Sequence, residues 1–103
     1  MEILEHPAAR AEYKEAVAYY NADGYDVGLA FYRQMEKAKL DVIGPPTNLR
    51  QYKEFAGVMV YQKSLKNYPY SIFFTFEESM TIYAYAGEHM KPDYWKNRLH
   101  KDL

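Results

Sequence analysis

Apolar residues at Ala9, Tyr13, Ala16, Val17 and Tyr20 recur at the spacing of one helical face, and Glu12 and Glu15 fall on the other side. Pro7 suits the first turn of this helix, where its missing N–H costs nothing. Asn21-Ala22-Asp23-Gly24 ends it, with Gly24 available for a left-handed cap. A second helix is expected to start near Asp26, a good N-cap residue. Its stripe is Phe31, Met35, Ala38 and Val42, while Arg33, Lys37 and Asp41 face outward and Gly44-Pro45-Pro46 stops it. Two helices joined by so short a turn form a hairpin, whose apolar faces need another surface to cover them.

The period changes further along. Residues 58–62 and 70–76 are rich in β-formers, and 80–86 alternates with Ile82, Ala84 and Ala86 on one side. Short polar links such as Glu77-Glu78-Ser79 make an antiparallel meander the simplest arrangement. Residues 2–5 are a short strand candidate through Ile3 and Leu4. Pro92 opens a final short helix holding Tyr94, Trp95 and Leu99. The predicted architecture is α+β: an N-terminal strand and a helical hairpin packed on an antiparallel three- to four-stranded sheet, with a short C-terminal helix, in one domain over residues 1–103.

Composition narrows the classes. The 103 residues are 49% hydrophobic and 17% aromatic, which supports one packed core and argues against disorder. The absence of cysteine excludes disulfides, zinc–thiolate sites and a cysteine nucleophile. Residues 1–10 lack the apolar stretch of a signal peptide, and no run approaches the roughly 18 apolar residues of a membrane span. A cytoplasmic location without membrane contact is the expectation. Residues 1–48 carry five basic against eight acidic side chains, and 49–103 carry eight against six, so a net charge of −1 conceals −3 and +2. That basic excess is too small to demand nucleic acid.

The chemistry-bearing residues each carry two readings. Lys53, Lys63, Lys66, Lys91, Lys96 and Arg98 form either one basic face or scattered solvated charges. His89 is suited to proton transfer or to fixing a strand-to-helix junction. It stands four residues from Asp93, but a metal site needs three converging ligands, and the sequence brings neither His6 nor His100 to it. No metal or cofactor is expected. Tyr94 and Trp95 either stack on a base or pack the C-terminal segment onto the sheet. Among twelve tyrosines, Tyr13, Tyr19, Tyr20, Tyr25 and Tyr32 cluster on the helical hairpin, where partly exposed tyrosines suit a protein interface.

Four features occur together. An early Ala-rich helix carries Ala9, Glu12 and Ala16, and prolines 45 and 46 follow the second helix. Tyr68-Pro69-Tyr70-Ser71-Ile72-Phe73-Phe74 looks like an FPY-x-I-x-Y segment. The stretch from Ala86-Gly87-Glu88-His89-Met90 through Lys91-Pro92-Asp93-Tyr94-Trp95-Lys96-Asn97-Arg98 looks like an H-x-R-x-P-x-Y-W-x-x-R ending. In this order, over nearly its whole length, the chain resembles the RelE/ParE toxin superfamily.

The resemblance implies a toxin held inactive by a cognate antitoxin encoded beside it. One branch of the family cleaves mRNA on the ribosome, and the other poisons DNA gyrase through a protein contact. Cleavage at a 2′-hydroxyl needs a base, cations for the developing phosphate charge and an acid for the leaving group. Nuclease members place an arginine two residues after the proline of the FPY segment, where this chain has Ser71. They place another just after the strand leading to the ending, where Lys91 is the only cation beside His89. Lysine does not reproduce bidentate phosphate contact, and a pI near 6.3 is low for a ribosomal RNA environment. The expectation is therefore a ParE-like, protein-directed toxin, with Lys63, Lys66, Tyr20, Tyr32 and Arg98 as candidate partner contacts. The alternatives are a ribosome-dependent ribonuclease using His89, Lys91 and Tyr94, and an inert interaction domain that keeps the fold.

Overall fold

A computed structural model describes residues 2–43 and 49–99. The helix stop assigned to Gly44-Pro45-Pro46, and His100, lie outside the described residues. The element order is β1 (Ile3–Glu5), α1 (Pro7–Asn21), α2 (Tyr25–Ile43), β2 (Arg50–Phe55), β3 (Val58–Ser64), β4 (Tyr70–Phe76), β5 (Met80–Gly87) and a 3-10 helix, Lys96–Leu99. The class is α+β, with two helices packed on one face of a sheet. Three details differ from expectation. The sheet has five strands in the order β1-β5-β4-β3-β2, and β1 runs parallel to β5. The C-terminal segment is a series of turns closed by the 3-10 helix rather than an α-helix. Asp26 lies inside the first turn of α2, where its charge suits the helix dipole, because α2 begins at Tyr25 directly after Gly24 (φ 137°).

β2 went unforeseen because Arg-Gln-Tyr-Lys-Glu-Phe carries no apolar run. Its charges suit an exposed sheet edge, where they discourage pairing with another chain. A two-residue loop, Ala56-Gly57 with φ of 50° and 83°, joins it to β3, and glycine accommodates the second of these angles without strain. Bulges at Tyr52 in β2 and Tyr83 in β5 shift the pairing register by one residue. The β5 bulge overturns the expected alternation. Ile82 faces the helices, whereas Ala84 and Ala86 face the opposite side of the sheet.

Two cores follow. Under the helices, Ala9, Tyr13 and Ala16 of α1 and Phe31, Met35, Ala38 and Val42 of α2 meet Ile72, Phe74, Met80, Ile82 and Tyr85. On the other face Val60, Phe73 and Ala84 are covered by Trp95, which the C-terminal segment folds back across the sheet. β4 is buried on both faces, which explains its nearly continuous apolar run.

A polar seam crosses the junction of helices and sheet. The Tyr13 hydroxyl donates to Glu36 (2.7 Å), and that of Tyr85 donates to Glu5. The Lys39 ammonium lies 3.0 Å from Glu36 and 3.7 Å from Glu5. Burial raises the Glu5 carboxyl pKa, but Tyr85, Lys39 and Arg10 outweigh it and hold the group below its ordinary 4.5. A depressed carboxyl contributes stability that is complete above its unfolded pKa and is lost as pH falls through the folded one. Thermal midpoints of wild type and Glu5→Gln should therefore converge as pH drops below about 4.5, the ordinary value. A gap that stays constant down to about pH 3 would show that Glu5 is not so coupled.

Candidate functional site

β1 covers only Met80, Thr81 and Ile82 of β5, so the rest of that outer edge needs other hydrogen-bond partners. Glu12 and Arg98 supply them. Arg98 Nη1 donates to the Tyr83 carbonyl (2.8 Å), and the Tyr85 backbone N–H donates to Glu12 Oε1 (3.1 Å). The guanidinium also grips the Glu12 carboxylate at both ends, at 3.1 and 2.9 Å, and the Tyr94 hydroxyl donates to Glu12 Oε2. The two charged side chains are only 18% and 12% exposed. Glu12, expected on the outward face of α1, thus turns inward. It fastens the C-terminal segment to α1 and to the edge of β5. Its partners lie 73 to 86 residues away, so no local pattern could have revealed them.

Burial raises the Tyr94 pKa, and the hydrogen bond from its hydroxyl to the Glu12 carboxylate raises it further. The phenol holds its proton firmly and already directs it at a carboxylate, which suits it poorly to donate to a leaving group. His6 caps α1 by accepting from the Ala8 N–H (3.1 Å) through Nδ1, and burial with the nearby Arg98 charge lowers its pKa. Both effects favour the neutral ring that the cap requires.

On the sheet face away from the helices, a small cleft of about 130 Å³ is lined by Gln62, Ser71, Phe73, Glu88, Lys91 and Tyr94, with Trp95 as one wall. Gln62 Nε2 donates to Ser71 Oγ (3.1 Å), and Ser64 and Ser71 share a hydrogen bond of 3.0 Å. Asp93, at φ 60°, accepts from the Tyr52 hydroxyl (2.5 Å) and from Lys53 (2.9 Å), which fixes the turn carrying Tyr94 and Trp95. His89 does not line this cleft. Its ring folds back over Gly87, where an added Cβ would stand 2.5 Å from the imidazole, and faces Tyr70 at 6.4 Å. Of the three residues singled out for ribonuclease chemistry, Lys91 and Tyr94 share a cleft and His89 lines another.

The candidate partner contacts are distributed. Lys63 and Lys66 line a groove of about 560 Å³ between α2 and the end of β3, together with Lys37 and Asp41. Asp41 takes Lys37 at 3.2 Å and Lys63 at 4.0 Å. Tyr20 is half-buried, stacked on Phe31 and edge-on to Tyr68. Tyr32 is exposed and stacks on Tyr13 on the outer side of the hairpin. Arg98 is committed to Glu12 inside the fold. The basic residues therefore do not form one face: Lys53 pairs with Asp93, Lys63 and Lys66 lie on the helix side, and Lys91 lies on the other. Among the described residues, no group of three or more His, Asp or Glu could hold a metal ion. No helix among them is long and apolar enough to cross a membrane. No protein-family model matches the chain, and no curated protein matches it.

Proposed function

We propose that this chain is the toxin half of a toxin–antitoxin pair of the RelE/ParE type and that it acts by binding a protein target, as the gyrase-directed branch does. The two sequence segments, at 68–74 and 86–98, support the family reading. The commitment of the Tyr94 hydroxyl and the residue at position 71 carry the choice of branch. The Tyr94 hydroxyl is held by Glu12, Ser71 occupies the position of a nuclease arginine, and His89 lines a different cleft from Lys91 and Tyr94. General acid–base cleavage needs its base, cation and acid around one phosphate. Tyrosines exposed on the helical hairpin suit capture of an antitoxin.

The expected result of tightly induced expression in a bacterial host is growth arrest, relieved by co-expression of the neighbouring gene. Supercoiling by gyrase should fall in the presence of the purified protein. Unaffected growth would favour an inert domain that keeps the fold. Lys91 and Tyr94 beside Ser71 and Gln62 in one cleft give the ribonuclease alternative its footing. Ribosome-dependent cuts in translated mRNA, seen by primer extension, would establish that alternative against the protein-directed reading.

A further inference from the structure

A second cleft, of about 580 Å³, opens between the outer side of α1 and the start of β4, bounded by Glu12, Glu15, Tyr19, Tyr20, Tyr70 and His89. Its Glu12 belongs to the clamp on Arg98 and its Tyr20 packs on Phe31. Three tyrosine rings from two elements meet there. Tyr19 and Tyr20 stand edge to face at 5.2 Å, and Tyr70 lies 6.3 Å from Tyr20 at 64°. Two carboxylates of α1 complete it. Glu12 is matched by Arg98, which leaves Glu15 as the exposed acid, and among the described residues no lysine or arginine lines the cleft.

We propose that this cleft receives an arginine side chain presented by a partner polypeptide. Aromatic ring faces are electronegative and attract a cation laid across them, and a carboxylate at the rim adds a direct charge partner. A planar guanidinium can stack on one ring while its edge reaches the acid, which a lysine ammonium cannot do. The pKa of the buried Tyr70 hydroxyl points the same way. Burial raises it first, and the Glu15 carboxylate adds to the rise, so the charge of Glu15 is felt at the wall of the cleft. The groove on the α2 side, with Lys37, Lys63 and Lys66, has the opposite character and would repel such a side chain. Tyr19, 68% exposed on the ridge beside the cleft, extends the site onto an open surface, which suits a side chain delivered by a protein better than an enclosed small molecule. The proposal rests on the reading of the domain as a protein-binding module.

The test requires neither an antitoxin nor a target, so its failure leaves the toxin reading standing, and absence of growth arrest leaves the cleft standing. The folded domain is titrated with N-acetyl-arginine amide and with the citrulline analogue, which has nearly the same shape without the charge, while tyrosine ring resonances are followed by NMR. The arginine compound should shift the Tyr19, Tyr20 and Tyr70 rings and bind about three- to tenfold more tightly than the citrulline compound. Glu15→Gln and Tyr19→Leu, both at exposed positions that should tolerate substitution, should each weaken arginine binding about threefold or more. Equal responses to the two compounds, shifts confined to other regions, or no saturable shift would each overturn the proposal.

Discussion

Trp95→Ala should destabilise the domain by about 3–5 kcal/mol, the largest single loss expected for a side chain here. Trp95 is 1% exposed and stacks on Phe73 at 4.7 Å, with Phe55 edge-on at 5.4 Å and Tyr52 tilted at 6.0 Å. It is the main cover for one face of the sheet. Among the described residues the C-terminal segment holds turns and a 3-10 helix and no α-helix that could close over the gap, so the cavity would open to water and Phe73 and Val60 would lose their lid. A domain of this size has a total stability of about 5–15 kcal/mol, so the variant should unfold at much lower urea and bind hydrophobic dyes. Trp95→Phe keeps the stacking and should lose less than half as much. Urea midpoints for both substitutions decide the matter. A loss below about 1 kcal/mol for alanine would mean that the segment is not seated on the sheet in solution.

The second large effect is expected at Glu12. Its carboxylate accepts from both guanidinium nitrogens of Arg98, from the Tyr94 hydroxyl and from the Tyr85 N–H. Glutamine offers one accepting oxygen to four donors and sets its own NH2 group against them. The Arg98 charge would then be mostly enclosed without a counter-ion. Breaking a buried pair by removing one partner costs about 3–5 kcal/mol, and the residual exposure here argues for the lower part of that range. Glu12→Gln should therefore cost about 2–4 kcal/mol. A double-mutant cycle with Arg98→Met should show strong coupling, since the second change removes the orphaned charge that the first creates. Additive effects would show that the two residues act separately. Hydrogen exchange should quicken at the Tyr85 amide in the single variant, because its acceptor has been replaced.

Both predictions concern contacts between the C-terminal segment and residues distant from it in the chain, and this marks the boundary of what the sequence tells. The 3.6-residue spacing of Ala9, Tyr13 and Ala16, and of Phe31, Met35, Ala38 and Val42, sufficed to define the two helices and the faces they bury. The β-rich runs defined three of the five strands and the Ile3-Leu4 pair pointed to a fourth, and Trp95 packs on the sheet, one of the two readings its aromatic character allowed. These features are local, set by helix and strand geometry and by the cost of leaving apolar surface in water.

The tertiary structure decided the rest. The bulges at Tyr52 and Tyr83 left no local mark, because one unpaired residue depends on the strand alongside, and each sends the following side chains to the other face of the sheet. The polar strand β2 is held by pairing with β3 and by the inward Tyr52 and Phe55, not by its own hydrophobicity. Glu12 read as a solvated helix residue because nothing near it in sequence bonds to it. His89 lines one cleft while Lys91 and Tyr94, two and five positions on, line another, a division that no local pattern shows. Periodicity reports which side of its own element a residue faces. Which charges meet, and which cleft a side chain enters, is fixed only when distant elements pack together.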